Sequence, residues 1–342
     1  MKIIKPYTEL INEKDPRKKI EVCGRICYKS EDKITDDSAS KFVSNIVKRG
    51  HDSVLEHVNF VMTGGQYFYE DVRRLKIMVS DALSDRGVVF NKQMFSALRE
   101  LRETPSAMFV AQPQNPKYIV SGNARTMRDI MQVCIKLEQK FPFEAILEKE
   151  PWLFEGLDCT GQYYLASNGC RLIDEADLTE ENGFTHSQIM IHRTQTVRFV
   201  VDRGISHELV RHRKHSFSQE SSRYCNYSND KFGNEITFIE PCFFPDYKLC
   251  EEDSQIRRRS LWKMAMEDAE RAYFKLLSHG AKPEEARDVL PTSTKTELAM
   301  SSNLAMWKHF FDLRCSDAAH PQMREVAIPL QGTFLTEVYE NM

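Results

Sequence analysis

No glycine-rich phosphate loop occurs in this chain of 342 residues. Neither GxGxxG nor GxxxxGK[ST] is present, which removes the motifs on which Rossmann and P-loop nucleotide sites are built. There is no GxSxG turn, so the nucleophile elbow of an α/β-hydrolase is excluded as well. No run approaches the ~18 apolar residues that a membrane-spanning helix needs. The opening stretch MKIIKPYTELINEKDPRKK lacks the apolar core of a secretion signal, and a cytoplasmic protein is expected. Net charge is only −3, so a general polyanion binder, including a nucleic-acid binder, is not expected and any pull on phosphate must be local. The nine cysteines are scattered; Cys23 and Cys27 form the closest regular pair, and no second pair completes a zinc site. Reduced, mostly buried thiols and no bound metal are expected.

What is present reads as a folded chain long enough for one or two domains. A short helix is expected over 17–29, and a second one after Asp36 or Asp37, with Phe42, Val43, Ile46 and Val47 as its apolar stripe and Gly50 as its stop. Residues 50–62 read as a loop that enters a strand. Between 63 and 184 the texture changes: helical patterns lie at 68–83 and 126–139, a strand at 117–122, and turns at 64–65, 113–116 and 181–183. From 189 to 202 β-branched residues predict one or two strands; 204–213 predicts a helix capped by Ser206, and 214–230 a polar loop. Further elements are a strand at 235–241, a long helix at 255–279, a short one at 283–287, a strand at 295–302, a helix at 303–314, and a helical tail kinked at Pro329. One internal echo, SGNARTMRDI (121–130) against SSNLAMWKHF (301–310), puts Asn at a turn-to-helix junction twice, and chance or similar local structure accounts for so short a match.

The densest chemistry lies in RHRKHSFSQESSRY, residues 211–224. Arg211 and Arg213 in the last turn of a helix would favour its dipole, which is a purely structural reason for one or two of them. That reason does not extend to Arg223 or to Ser216, Ser218, Gln219, Ser221 and Ser222. Arginine forks with hydroxyls and loop amides suit a ligand bearing phosphate and carbonyl oxygens. His207, His212 and His215 are spaced closely enough to suggest a metal, but Arg211, Arg213 and Lys214 make the place hostile to a dication. GHDSVLEH (50–57) brings His51, Ser53, Glu56 and His57 together, either as a site or as a capped turn with a buried His–Glu bond. Arg287 and Arg314, at element ends, could join the cluster to give one anionic ligand five arginines.

Arg211-His212-Arg213, seven residues and then Ser221 resembles the RHRx7S signature of the flavin-dependent thymidylate synthases. The resemblance extends to GHDSVLEH, to PEEARDVLP (283–291) and to NLAMWKHFFDLR (303–314), in the family's order, and covers about 17–62 and 185–340. It implies an α+β fold, a sheet packed with long helices, over 1–62 and 185–342, with 63–184 as an inserted, mostly helical subdomain. It further implies reductive methylation of dUMP to dTMP without an enzyme nucleophile. 5,10-Methylenetetrahydrofolate gives the one-carbon unit, and FAD reduced by NADPH gives the hydride. Similar proteins are homotetramers with active sites at subunit interfaces.

Carried over by position, the resemblance assigns His51, Ser53, Arg211, His212, Arg213, Gln219, Asn303 and His309 to the flavin. It assigns Glu208, Arg211, Gln219, Glu220, Ser221, Ser222, Arg223, Arg287 and Arg314 to the nucleotide. Arg314 matches the arginine that holds the uracil and is the implied catalytic residue. Ser221 then reads as a phosphate or ring hydrogen-bonder. Cys27 and His309 stand where some members have Ser and Asn, and the link after Arg314 is longer than in short members. The reading from residues alone leaves a second class open, a nucleotide- or RNA-binding module that uses 211–224 as a phosphate cradle without catalysis.

Overall fold

The computed structural model describes residues 1–84, 102–105, 118–159, 169–223, 225–229, 233–244 and 253–340. The turn expected at 113–116 lies outside the described residues. Strands β1 (Lys2–Ile4) and β2 (Tyr7–Ile11) open the chain. Helix α1 (Pro16–Tyr28) starts where the Asp15 side chain accepts from the N–H groups of Arg17 and Lys18, with Pro16 in the first turn, and stops at Lys29 in the left-handed region. Helix α2 (Ser38–Lys48) buries Ala39, Val43, Ile46 and Val47 and ends before Gly50, whose φ of +66° suits glycine.

A 3₁₀ turn (Asp52–His57) leads into β3 (Asn59–Gly64), then α3 (Gln66–Ser84), β4 (Arg102–Pro105), β5 (Tyr118–Asn123), α4 (Ala124–Lys136) and β6 (Arg171–Ile173). After these come α5 (His186–His192), β7 (Thr194–Asp202), α6 (Arg203–Leu209), β8 (Ser216–Gln219), β9 (Thr237–Ile239), α7 (Asp253–Ser278), β10 (Lys295–Asn303), α8 (Leu304–Arg314) and α9 (Pro321–Thr333).

Two antiparallel four-stranded sheets result, ordered β2-β7-β10-β8 and β4-β5-β3-β6, while β1 and β9 pair in parallel. The fold is α+β. The first sheet carries a core in which Phe199 packs with Trp307 and Phe310 of α8 and Trp307 with Phe334. The second shares its core with α1, α2 and α4, through Ile20, Val43, Met127 and Met131. Residues 63–184 are therefore rich in helix among the described residues but also supply strands, and the helices of residues 16–48 pack on them.

Four local expectations change. Residues 186–192 are helical, despite their β-branched content, because Thr185 and Gln188 form a reciprocal capping box. Asp202, not Ser206, caps α6: its carboxylate accepts from the Ile205 N–H at 2.9 Å, and the Ser206 hydroxyl donates to the Arg203 carbonyl within the helix. That helix ends at Leu209, so Arg211 and Arg213 lie beyond it rather than in its last turn. The stretch expected to be a polar loop contains β8, an edge strand paired with β10. The tail is helical as expected, with Pro329 inside it, and passes to π-helical spacing at Phe334–Tyr339.

The echo between 121–130 and 301–310 marks two matched structural units. Asn59 faces Asn123 as Thr194 faces Asn303, and Val61 faces Ser121 as Thr196 faces Ser301. Ala124 donates to the Val58 carbonyl at 2.8 Å, and Leu304 to the Arg193 carbonyl at 3.1 Å. The histidine that precedes each first strand crosses to the other unit: His57 Nδ1 shares a hydrogen bond with Ser301 Oγ (2.6 Å), and His192 Nδ1 with Ser121 Oγ (2.8 Å). Glu175 ties both first strands together, accepting from Asn59 Nδ2 and from the Thr194 N–H.

Candidate active site

The turn after α6 separates two cavities. The first, about 450 Å³, lies between the matched units and is lined by Glu56, Asn123, Arg213, His215, Ser302 and Asn303 among others. The second, about 560 Å³, is lined by Arg211, His212, Arg213, His309, Leu313 and Arg314 among others. Arg213, Lys214, His215 and Met306 belong to both walls.

Arg314 ends α8 and is held on three sides. Its Nε donates to His212 Nε2 (2.9 Å), Nη1 to Glu208 Oε2 (2.8 Å) and Nη2 to the Glu208 carbonyl (3.0 Å). A guanidinium has five N–H groups, so two remain for a ligand. His212 must accept at Nε2, which requires the neutral ring with its proton on Nδ1. Burial, then the Arg314 charge and His309, lower its pKa to about 4, in keeping with that role. Next to it, His215 is buried against Trp307 and Phe310, and both ring nitrogens lack a hydrogen-bond partner. Burial and then His212 hold its pKa down at about 3.

The segment 219–223 is fixed by a different set of contacts. Gln219 Nε2 donates to Ser206 Oγ (3.0 Å) and Thr296 Oγ1 (3.3 Å). Glu220 is buried and receives Lys295 Nζ (2.9 Å) and Tyr227 Oη (3.2 Å). Lys295 and Lys29 converge on Glu297 and, although burial opposes them, bring its pKa down to about 2. Ser221 donates its backbone N–H to the Cys27 carbonyl (3.0 Å), and Arg287 Nη1 reaches Ser222 Oγ (3.4 Å). Among the described residues no hydrogen bond joins the Ser221 hydroxyl to an imidazole or carboxylate, so no base stands ready to activate it.

The sequence-predicted residues are thus brought together in two groups. Glu208, Arg211, His212, Arg213, Asn303, His309 and Arg314 gather around the cavities, whereas Gln219–Arg223 and Arg287 form a separate cluster. Five arginines around one cavity of a single chain are not seen: Arg223 and Arg287 line neither. His51 and Ser53 are exposed and also line neither; His51 Nδ1 is 3.4 Å from Tyr28 Oη. Sequence reasoning missed Lys295, whose only signal was an unremarkable lysine at a strand start. It left the histidine of GHDSVLEH open between roles: His57 is fully buried between Ser301 and Ser218, and burial holds its pKa at about 3. Among the described residues no group of three or more His, Cys, Asp or Glu could hold a metal, and no helix is long and apolar enough to cross a membrane.

Residues 9–86 and 176–336 match the family described as thymidylate synthase complementing protein. The chain is similar to flavin-dependent thymidylate synthases of Pyrococcus abyssi (32% identical over 154 residues, 45% of this chain and 59% of that protein) and Geobacter sulfurreducens (32% over 146 residues, 42% and 58%). It therefore spans less than two thirds of the length of these relatives. A likeness to the crystal structure of PolB from Streptomyces cacaoi, a UMP/dUMP methylase bound with 5-Br dUMP, is slight. It has a TM-score of 0.36 and 24% identity over 47% of this chain and 72% of that one.

Proposed function

The chain belongs to the family of thymidylate synthase complementing proteins, the flavin-dependent thymidylate synthases, and from that premise we propose that it makes dTMP from dUMP by reductive methylation. Methylenetetrahydrofolate is the one-carbon donor and NADPH the reductant of a bound FAD. The observation that carries this reading is Arg314, pinned by Glu208 and a neutral His212 at the wall of the second cavity with two N–H groups to spare.

The residues present fit a flavin nucleotide. Arg213-Lys214-His215 forms a wall common to two adjacent cavities, with cations along it and Ser302 beside the first. When bound, the reduced flavin supplies the hydride. Arg314 sets a fixed positive charge beside the uracil carbonyls and so stabilises the enolate-like charge that makes the reacting edge electron-rich. His212 and Glu208 orient that guanidinium before substrate arrives. Ser222, Arg223 and Arg287 hold the nucleotide phosphate, and Lys295 and Tyr227 fix Glu220 beneath them.

The separation of this phosphate cluster from the Arg314 cavity within one chain supports a homotetramer in which the two meet across subunits. The eight described cysteines, none of them in a disulfide, support a reducing, cytoplasmic setting. The test is an omission assay. Purified protein is expected to release FAD on denaturation and to form dTMP only when dUMP, methylenetetrahydrofolate and NADPH are all present. A colourless protein that forms none under any combination would end this reading.

A further inference from the structure

The inserted segment contributes a wall to the first cavity at the junction of β5 and α4. Asn123 there is the structural counterpart of Asn303 in the matched unit, and both face the same space. Each side chain caps its helix through Oδ1: Asn123 accepts from the Thr126 N–H (2.8 Å) and Asn303 from the Met306 N–H (2.9 Å). Their amide nitrogens differ. Asn303 Nδ2 is committed to the Ile191 carbonyl (3.1 Å), whereas Asn123 Nδ2 donates to no protein atom among the described residues.

The charges around Asn123 favour an electron-rich ligand. Arg213 and Lys214 line the cavity, and α4 and α8 both begin at it, adding the partial positive ends of two helices. The one carboxylate on this wall, Glu56, is engaged by Arg125 at 2.5 Å. Although burial opposes it, Glu56 holds that guanidinium above its ordinary pKa, and the contact sets the Arg125 charge against the carboxylate. His57 and His215, also on the wall, are neutral. What remains is a positive space with one spare amide donor provided by a segment that no family match covers, since the match leaves out 87–175.

We propose that the inserted segment is a cofactor-binding element, in which Asn123 Nδ2 donates to the oxygen-rich part of the flavin nucleotide held between the two matched units. This rests on the flavin reading above. It gives the second unit a role in the same chain: the unit keeps the Asn-capped strand–helix junction, while Cys134, at its position equivalent to Arg314, is buried and removes the uracil-binding arginine.

The experiment titrates FAD into deflavinated protein, followed by flavin fluorescence, for wild type, Asn123→Ser and Asn123→Asp. Both variants keep a side-chain oxygen for the Thr126 amide, so the cap survives, and melting of the apoprotein is expected to be unchanged. Both lose the amide donor. Asn123→Ser is expected to weaken FAD about tenfold, the order of one hydrogen bond to a charged group. Asn123→Asp weakens it further by placing a carboxylate against an anion, while dUMP affinity stays at the wild-type level in both. Wild-type FAD affinity in both variants would overturn the assignment of Asn123 and leave the flavin reading standing. Failure of the wild type to bind FAD would instead remove the flavin reading and this inference with it.

Discussion

Replacing Arg314 by Lys keeps the charge and removes the fork. In the native protein three of the five N–H groups are spent on Glu208 and His212, at 2.8 to 3.0 Å, and two are left for substrate. A single ammonium on a flexible stem cannot span a carboxylate, a backbone carbonyl and an imidazole together. It retains one of the three anchors at best. Hydrogen bonds to a charged group contribute about 1.5–3 kcal/mol each. The lost anchors act mainly on position, so we take roughly one such bond's worth, about 3 kcal/mol, as the deficit in the transition state. That is a fall in kcat/KM of about two orders of magnitude. Arg314→Ala removes the charge as well, and turnover is expected to be nearly abolished. Steady-state dTMP formation, with flavin content measured in parallel, gives the readout. If Arg314→Lys stays within about threefold of wild type at equal flavin content, the pinned fork is not what the reaction uses.

Three further outcomes follow from the geometry. Ser221→Ala is expected to keep measurable turnover, since no base activates that hydroxyl; a variant that binds dUMP and FAD yet is fully dead would restore a nucleophile role. His57→Phe removes the imidazole that joins the buried hydroxyls of Ser218 and Ser301, of which Ser301 keeps Thr196 Oγ1 at 2.6 Å, and is expected to lower stability by about 1–2 kcal/mol in urea unfolding; an unchanged midpoint would show that the bridge contributes nothing. Acid should destabilise the apoprotein well before its carboxylates protonate. His57, His212 and His215 have folded pKa values of about 3, 4 and 3, below the ordinary 6.5. Their contribution is full above about pH 6.5 and is lost as pH falls toward those values. Near pH 5 the unfolded chain then binds about three more protons, an upper bound of ~4 kcal/mol lost per pH unit. Glu297 extends the loss from about 4.5 down to about 2. Unfolding free energy that is flat between pH 7 and 5 would contradict this.

Where each segment has one apolar face and an unambiguous end, the sequence reads correctly. β10 followed by Asn303 and α8 is such a case, and so is α2 with its stop at Gly50. Errors arise where the deciding partner lies far away in the chain. β8 looks like a loop because its inward Ser218 meets His57 rather than an apolar side chain. Asp202 and Ser206 are both good caps four residues apart, and the choice depends on β7 running to Asp202 through its pairing with β10. β1 and β2 are too short to show a period. The matched units share little beyond Ser-x-Asn because their helices pack on different surroundings, Met127, Ile130 and Met131 in one core and Trp307, Phe310 and Phe311 in the other. The candidate site was legible as residue types and order. Its division into an Arg314 cavity and a separate cluster at Gln219–Arg223 was not, because that depends on how β8 docks.

The most direct measurement is an anaerobic single turnover. Protein whose flavin has been reduced by NADPH is mixed with dUMP and methylenetetrahydrofolate, and flavin oxidation is followed alongside dTMP. One dTMP for each flavin reoxidised, and no reoxidation when either substrate is left out, is the predicted result. Flavin that stays reduced, or that reoxidises without dTMP, would contradict a flavin-dependent thymidylate synthase.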